Sequence, residues 1–98
     1  MEILKPYRDR IDALDEEIID LLRKRYDVIE EVAEVKLREG IASVLQDRVD
    51  EVREHAAALA AGKGLDEDFI RNLYEQLIEH SCDLEEQIIQ ARKAKKAS

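Results

Sequence analysis

With 98 residues, 41% of them charged, one proline, three glycines and no tryptophan, the chain has the length of one domain with a small core and the composition of long, solvent-washed helices. A net charge of −8 opposes nucleic acid and anionic membrane as partners, although a local cluster of cations can still hold a small anion. One cysteine, Cys82, cannot form an intrachain disulfide, and no apolar run has the length of a signal-peptide core or a membrane span, so a reducing, cytoplasmic setting is expected.

The first periodic segment starts at Pro6, which suits the first turn of a helix. Ile11, Leu14, Ile18, Leu21, Leu22, Ile29, Val32 and Val35 recur at helical spacing, and Gly40 is a C-terminal stop. The spacing predicts a helix over residues 6–39, about 50 Å long. That exceeds the span of a globule of this size, whose radius of gyration is about 13 Å. One subunit cannot cover such a stripe from end to end, so a homodimer with this helix crossing between subunits is expected.

The second helix is expected over residues 44–61, with "SVLQ" (Ser43 to Gln46) as a capping box and "GKG" (Gly62 to Gly64) as its end. The third is expected over residues 67–92, with Asp66 as N-cap and Leu65 and Ile70 as a hydrophobic staple. The basic tail "ARKAKKAS" reads as a frayed, solvated end favoured at a helix C-terminus. The predicted fold is all-α: one domain over residues 1–98, built from one long and two shorter helices.

Polar side chains interrupt these apolar stripes. In "LLRKRYDVIEEVAEVK" (Leu21 to Lys36), Arg25 and Lys36 lie on one face of the helix, about 20° apart, among Leu14, Ile18, Leu21, Ile29 and Val32. Arg48 sits within about 40° of Val44, Val52 and Leu59 on the second helix. Ser81 and Glu85 lie in the stripe of Ile70, Tyr74, Leu77, Leu84 and Ile88 on the third. Arginine and lysine are almost never fully buried unpaired. Internal salt bridges or long side chains reaching out to water would account for single cases. Three cations against one carboxylate favour an anionic ligand, for which guanidinium forks suit carboxylates.

Arg8 points about 100° away from Arg25 and reads as a surface residue unless the crossing helix carries it to the partner's site. His55 and His80 are isolated in sequence, with His55 expected to be partly buried and hydrogen-bonded. Cys82 reads as a small buried hydrophobe. With no phosphate loop, no metal-ligand cluster and no partner to make Ser81 a nucleophile, no metal or cofactor is expected. The inventory suits binding, or catalysis by positioning and electrostatics.

"YRDRIDALDEEIIDLLRKR" with Arg8 and Arg25, "VAEVK" ending in Lys36, "QDRV" with Arg48, "GKGLDEDFIRNLYEQLIE", and "SCDLEE" with Ser81 and Glu85 are similar to the all-helical chorismate mutases over about Leu4 to Ile89. The resemblance implies an intertwined three-helix homodimer with two sites. It also implies an intramolecular Claisen rearrangement of chorismate to prephenate, in aromatic amino acid biosynthesis, with no covalent intermediate. By the same resemblance Arg25, and Arg8 from across the dimer, would hold the substrate's carboxylates. Lys36 would bond a carboxylate and the ether oxygen, Arg48 would flank the departing enolpyruvyl group, and Ser81 would complete the binding site.

The chain departs from the bacterial pattern where Val49 replaces a glutamate for the ring hydroxyl, Leu45 an acidic residue, and Glu85 a glutamine beside the ether oxygen. Glu85 resembles the fungal mutases, and it must carry a proton to donate there, so activity is expected to fall as pH rises. Val49 resembles the isochorismate pyruvate lyases of salicylate and siderophore pathways, and a third cousin acts on 4-amino-4-deoxychorismate. A reading of another class is a helical dimerisation or ligand-sensing module without turnover.

Overall fold

Helix α1 (Lys5–Glu39) runs unbroken for 35 residues in the computed structural model, which describes residues 2–97. A 3-10 turn at Glu2–Leu4 leads into it, and Pro6 occupies its first turn, where a missing N–H costs nothing. It ends as expected at Gly40, whose φ of 67° is the left-handed conformation that glycine adopts without strain. Ile41 N–H then donates to Lys36 O at 2.8 Å and closes the end.

Helix α2 (Gln46–Gly62) starts two residues later than the expected capping box allows. Leu45, with an extended backbone, is the N-cap and offers no side-chain acceptor. Ser43 Oγ instead donates to Glu86 on the third helix, and Gln46 donates to Asp50. A hydroxyl bond to a carboxylate is charge-assisted and outcompetes a cap to backbone N–H.

Helix α3 (Glu67–Ala97) begins as expected, with Asp66 Oδ1 accepting from Phe69 N–H at 2.9 Å. It does not fray at Arg92 but continues to Ala97. Ala, Lys and Arg are strong helix formers, the cations suit the C-terminal end of the dipole, and Arg92 pairs with Glu34 of α1 at 2.6 Å. Ser98, the last residue of the expected tail, lies outside the described residues.

Among the described residues there is no strand, and α3 packs against both α1 and α2. The buried core is small-residue rich: Ala33 from α1, Ala56, Ala57 and Ala60 from α2, and Ile78 and Ile89 from α3. The expected α2 stripe of Val44, Val52 and Leu59 is therefore not its packing face. Val44 precedes the helix and is exposed, Leu59 is exposed, and the alanines let the α2 backbone approach α3 closely. His55 is exposed rather than partly buried. His80 Nδ1 is hydrogen-bonded to the Tyr26 hydroxyl at 2.8 Å.

Residues 2–21 are all exposed, and Ile11, Leu14, Ile18 and Leu21 show more than half their surface. Leu59, Leu65 and Phe69 are similarly uncovered at the α2–α3 corner. The projecting half of α1 gives the chain extents of 60 × 28 × 15 Å and a radius of gyration of 17.5 Å. A compact globule of this length would have about 13 Å.

Candidate active site

The second half of α1, the loop after it, the start of α2 and the middle of α3 enclose a cavity of about 410 Å³. Arg25 and Lys36 reach it from α1, Arg48 and Val49 from α2, and Ser81 and Glu85 from α3, with Leu45 at its rim. Helical spacing explains the convergence: three turns of α1 separate its two cations, and one turn of α3 separates its serine from its carboxylate. Arg8 is not brought here. It is exposed on the projecting end of α1, beside Lys5, Asp9 and Asp12.

Lys36 is the most tightly held cation. Its Nζ lies 2.7 Å from Glu85 Oε1, and the two side chains are only 13% and 7% exposed. Glu85 Oε1 nevertheless receives no bond of hydrogen-bonding geometry, so charge rather than direction holds this pair. Lys36 Nζ also donates to the backbone carbonyl of Ser43 at 2.8 Å. Arg25 Nη1 donates to Ser81 Oγ at 2.8 Å, and Ser81 in turn donates to Leu77 O at 2.7 Å. The serine is thus a brace for the arginine, its proton already committed to the backbone.

Arg48 differs from the expected inward cation. It lines the cavity mouth with its side chain 65% exposed and pairs with Glu51 one turn on. Water at the mouth makes that pair weak and easily exchanged for a ligand carboxylate.

Burial pushes the Cys82 thiol up, and the Glu85 charge adds to the effect. A thiol so placed stays protonated and is no nucleophile. Cys82 is half-buried and lines the cavity, where an interior hydrophobe was expected. Ser43 also lines it, and its sequence signature pointed to a helix cap instead. The lining is otherwise apolar, from Ile29, Val32, Val52 and Ile78.

A larger hollow of about 700 Å³ lies between the C-terminal ends of α1 and α3, where Glu34 already partners Arg92. Among the described residues no group of His, Cys, Asp and Glu has the arrangement of a metal site. No helix there is long and apolar enough to cross a membrane.

A helical chain with three cations and one carboxylate around a largely apolar cavity has the charge to hold a small polyanion. Residues 7–86 match the family model of chorismate mutase type II, and the chain belongs to that family. It is 37% identical over 86 residues to the 4-amino-4-deoxychorismate mutase of Streptomyces venezuelae, covering 88% of this chain and 84% of that protein. It is 34% identical to the protein of the same name from Streptomyces pristinaespiralis over 88% of this chain and 67% of the other. The chorismate mutase of Methanocaldococcus jannaschii is 28% identical over 92% of this chain and 91% of its own length.

Proposed function

We propose that this chain is an isomerase that rearranges chorismate to prephenate, acting as a single cytoplasmic domain over residues 1–98 and as a homodimer. The observation that carries the reading is the convergence of Arg25, Lys36 and Arg48 on one cavity, where Arg25 is braced by a neutral serine and Arg48 is paired only with the exposed Glu51. A substrate with two carboxylates supplies the missing negative charge. In the rearrangement the ether C–O bond breaks as a C–C bond forms within the same molecule, and negative charge grows on the ether oxygen. A cation fixed at that oxygen stabilises the transition state more than the ground state. Clamping both carboxylates also holds the flexible substrate in its compact reactive shape.

In this reading Arg25 and Lys36 bind carboxylates, Lys36 also meets the ether oxygen, and Arg48 flanks the enolpyruvyl group. Glu85 holds the Lys36 ammonium beside the same oxygen through their 2.7 Å ion pair. Glu85→Gln is expected to retain turnover, while Glu85→Leu loses it. Arg8 of the partner subunit completes the site. Support for the dimer comes from the uncovered apolar half of α1 and the uncovered Leu59, Leu65 and Phe69, two surfaces that a second copy can bury against each other.

A second reading keeps the chemistry and changes the ring substituent. The two Streptomyces relatives carry the name 4-amino-4-deoxychorismate mutase. Leu45 and Val49 present no acidic partner to a ring hydroxyl. Purified protein offered chorismate, 4-amino-4-deoxychorismate and isochorismate in parallel, with products identified, separates the readings. Prephenate formed by the wild type and not by Lys36→Ala supports the first. Preferential turnover of the amino compound moves the assignment to the second. Pyruvate release from isochorismate alone, or no turnover by a folded dimer, refutes both.

A further inference from the structure

We propose that Ser43 and Glu86 are positioning residues that fix the Lys36 ammonium at the reacting oxygen. The inference rests on the assignment of Lys36 given above. A lysine head on four methylenes carries much rotational freedom, and fixed-charge catalysis requires its position to be held to about half an ångström. The ammonium has three N–H donors. One goes to the Ser43 carbonyl at 2.8 Å, while Glu85 Oε1, 2.7 Å from the nitrogen, is held by charge without a directed bond, so donor capacity remains for a ligand.

The Ser43 carbonyl belongs to a six-residue loop, Gly40 to Leu45, in which every other residue is exposed. It is held because the side chain of the same residue donates to Glu86 Oε2 at 2.5 Å. Glu86 is held in turn, since its Oε1 accepts from Gln90 Nε2 at 2.8 Å. Both anchors of Lys36 therefore refer back to consecutive residues of α3, Glu85 directly and Glu86 through the loop. Without the Ser43 carbonyl, the ammonium keeps its undirected contact with Glu85 but loses the hydrogen bond that fixes its position. The Ser43 hydroxyl also holds the Glu86 carboxyl below the usual carboxylate range, consistent with a bond made to the ionised form.

The test uses Ser43→Ala, Glu86→Ala, their double variant, Ser43→Thr and Lys36→Ala in the full chain, each checked for helicity and Tm. The substrate is the one that the wild type turns over. Ser43→Ala and Glu86→Ala are each expected to lower kcat about five- to tenfold, the worth of one hydrogen bond, with KM within about twofold of wild type. The double variant should match either single one, and Ser43→Thr should restore kcat. In nitrogen-15 NMR of lysine ammonium groups, the slow proton exchange of Lys36 should be lost in Ser43→Ala.

Wild-type kcat and unchanged ammonium exchange in Ser43→Ala, with Lys36→Ala inactive, overturn the inference and leave the functional reading intact. Losses that multiply in the double variant, or that follow Tm and are not rescued by threonine, overturn it as well. Full turnover by Lys36→Ala refutes the assignment of Lys36 itself, and the inference with it.

Discussion

Replacing Lys36 with methionine tests whether the cavity is held as a charged site or as an ordinary core. The pair it breaks lies at 2.7 Å, with the two side chains 13% and 7% exposed. At an effective dielectric of about 20, the attraction is about 6 kcal/mol. Removing the lysine alone leaves the Glu85 carboxylate buried without its counter-charge, which costs about 3–5 kcal/mol. Against a total stability of about 5–15 kcal/mol that is a large fraction, and it corresponds to a fall in Tm of at least about 10 °C. Lys36→Met combined with Glu85→Leu removes both charges and should recover wild-type stability or exceed it. Both variants should be inactive. The measurement is thermal unfolding followed by circular dichroism at one fixed protein concentration, since association makes Tm concentration-dependent. A single variant as stable as wild type, or a double variant as unstable as the single, would refute the reasoning.

Arg25→Leu should fold with little change in Tm, because Ser81 keeps its bond to Leu77 O, yet lose substrate binding; a variant with wild-type turnover would show that Arg25 does not hold the substrate. Arg8→Ala and Arg25→Ala, each inactive alone, should recover about a quarter of wild-type activity when co-refolded, since half the dimers then hold one intact site. Absence of recovery, with mixed dimers demonstrated by mass, would show that Arg8 does not act across subunits. Arg53, followed by Arg71, holds the Glu54 carboxyl below the usual carboxylate range. A depressed carboxyl stabilises the fold above its unfolded pKa, and that contribution is lost as pH falls through the lower folded value. Tm should therefore decline below about pH 4, and Glu54→Gln should flatten that decline. An identical acid limb in the variant would remove this ion cluster from the account.

The long helix was legible because thirty-odd residues of unbroken period need no tertiary context, and Gly40 marks its end by backbone chemistry alone. Arg25, Lys36, Ser81 and Glu85 were legible for a related reason: polar residues at the centre of an apolar stripe are anomalous wherever the helix packs. The α2 face was misread because size was taken for burial. The helix packs through Ala56, Ala57 and Ala60, and its larger apolar residue Leu59 remains outside. Ser43 was misread for a different reason. A serine three residues before a glutamine has the local pattern of a cap, and only the fold brings Glu86 from α3 close enough to claim its hydroxyl. Arg48 shows the same limit, since its stripe is real on the wheel but opens onto the cavity mouth.

An unbroken α1 is also a ruler. Arg8 and Arg25 are separated by about 25 Å of rigid helix, and each added residue would advance the far end by 1.5 Å and swing it through about 100°. A single inserted or deleted residue anywhere between them would turn one arginine away from the line set by the other, with no loop to absorb the error. The turn at Lys63 and Gly64, which is exposed and away from the cavity, carries no such constraint. Changes in chain length should be tolerated at that turn and lethal to activity along the first helix.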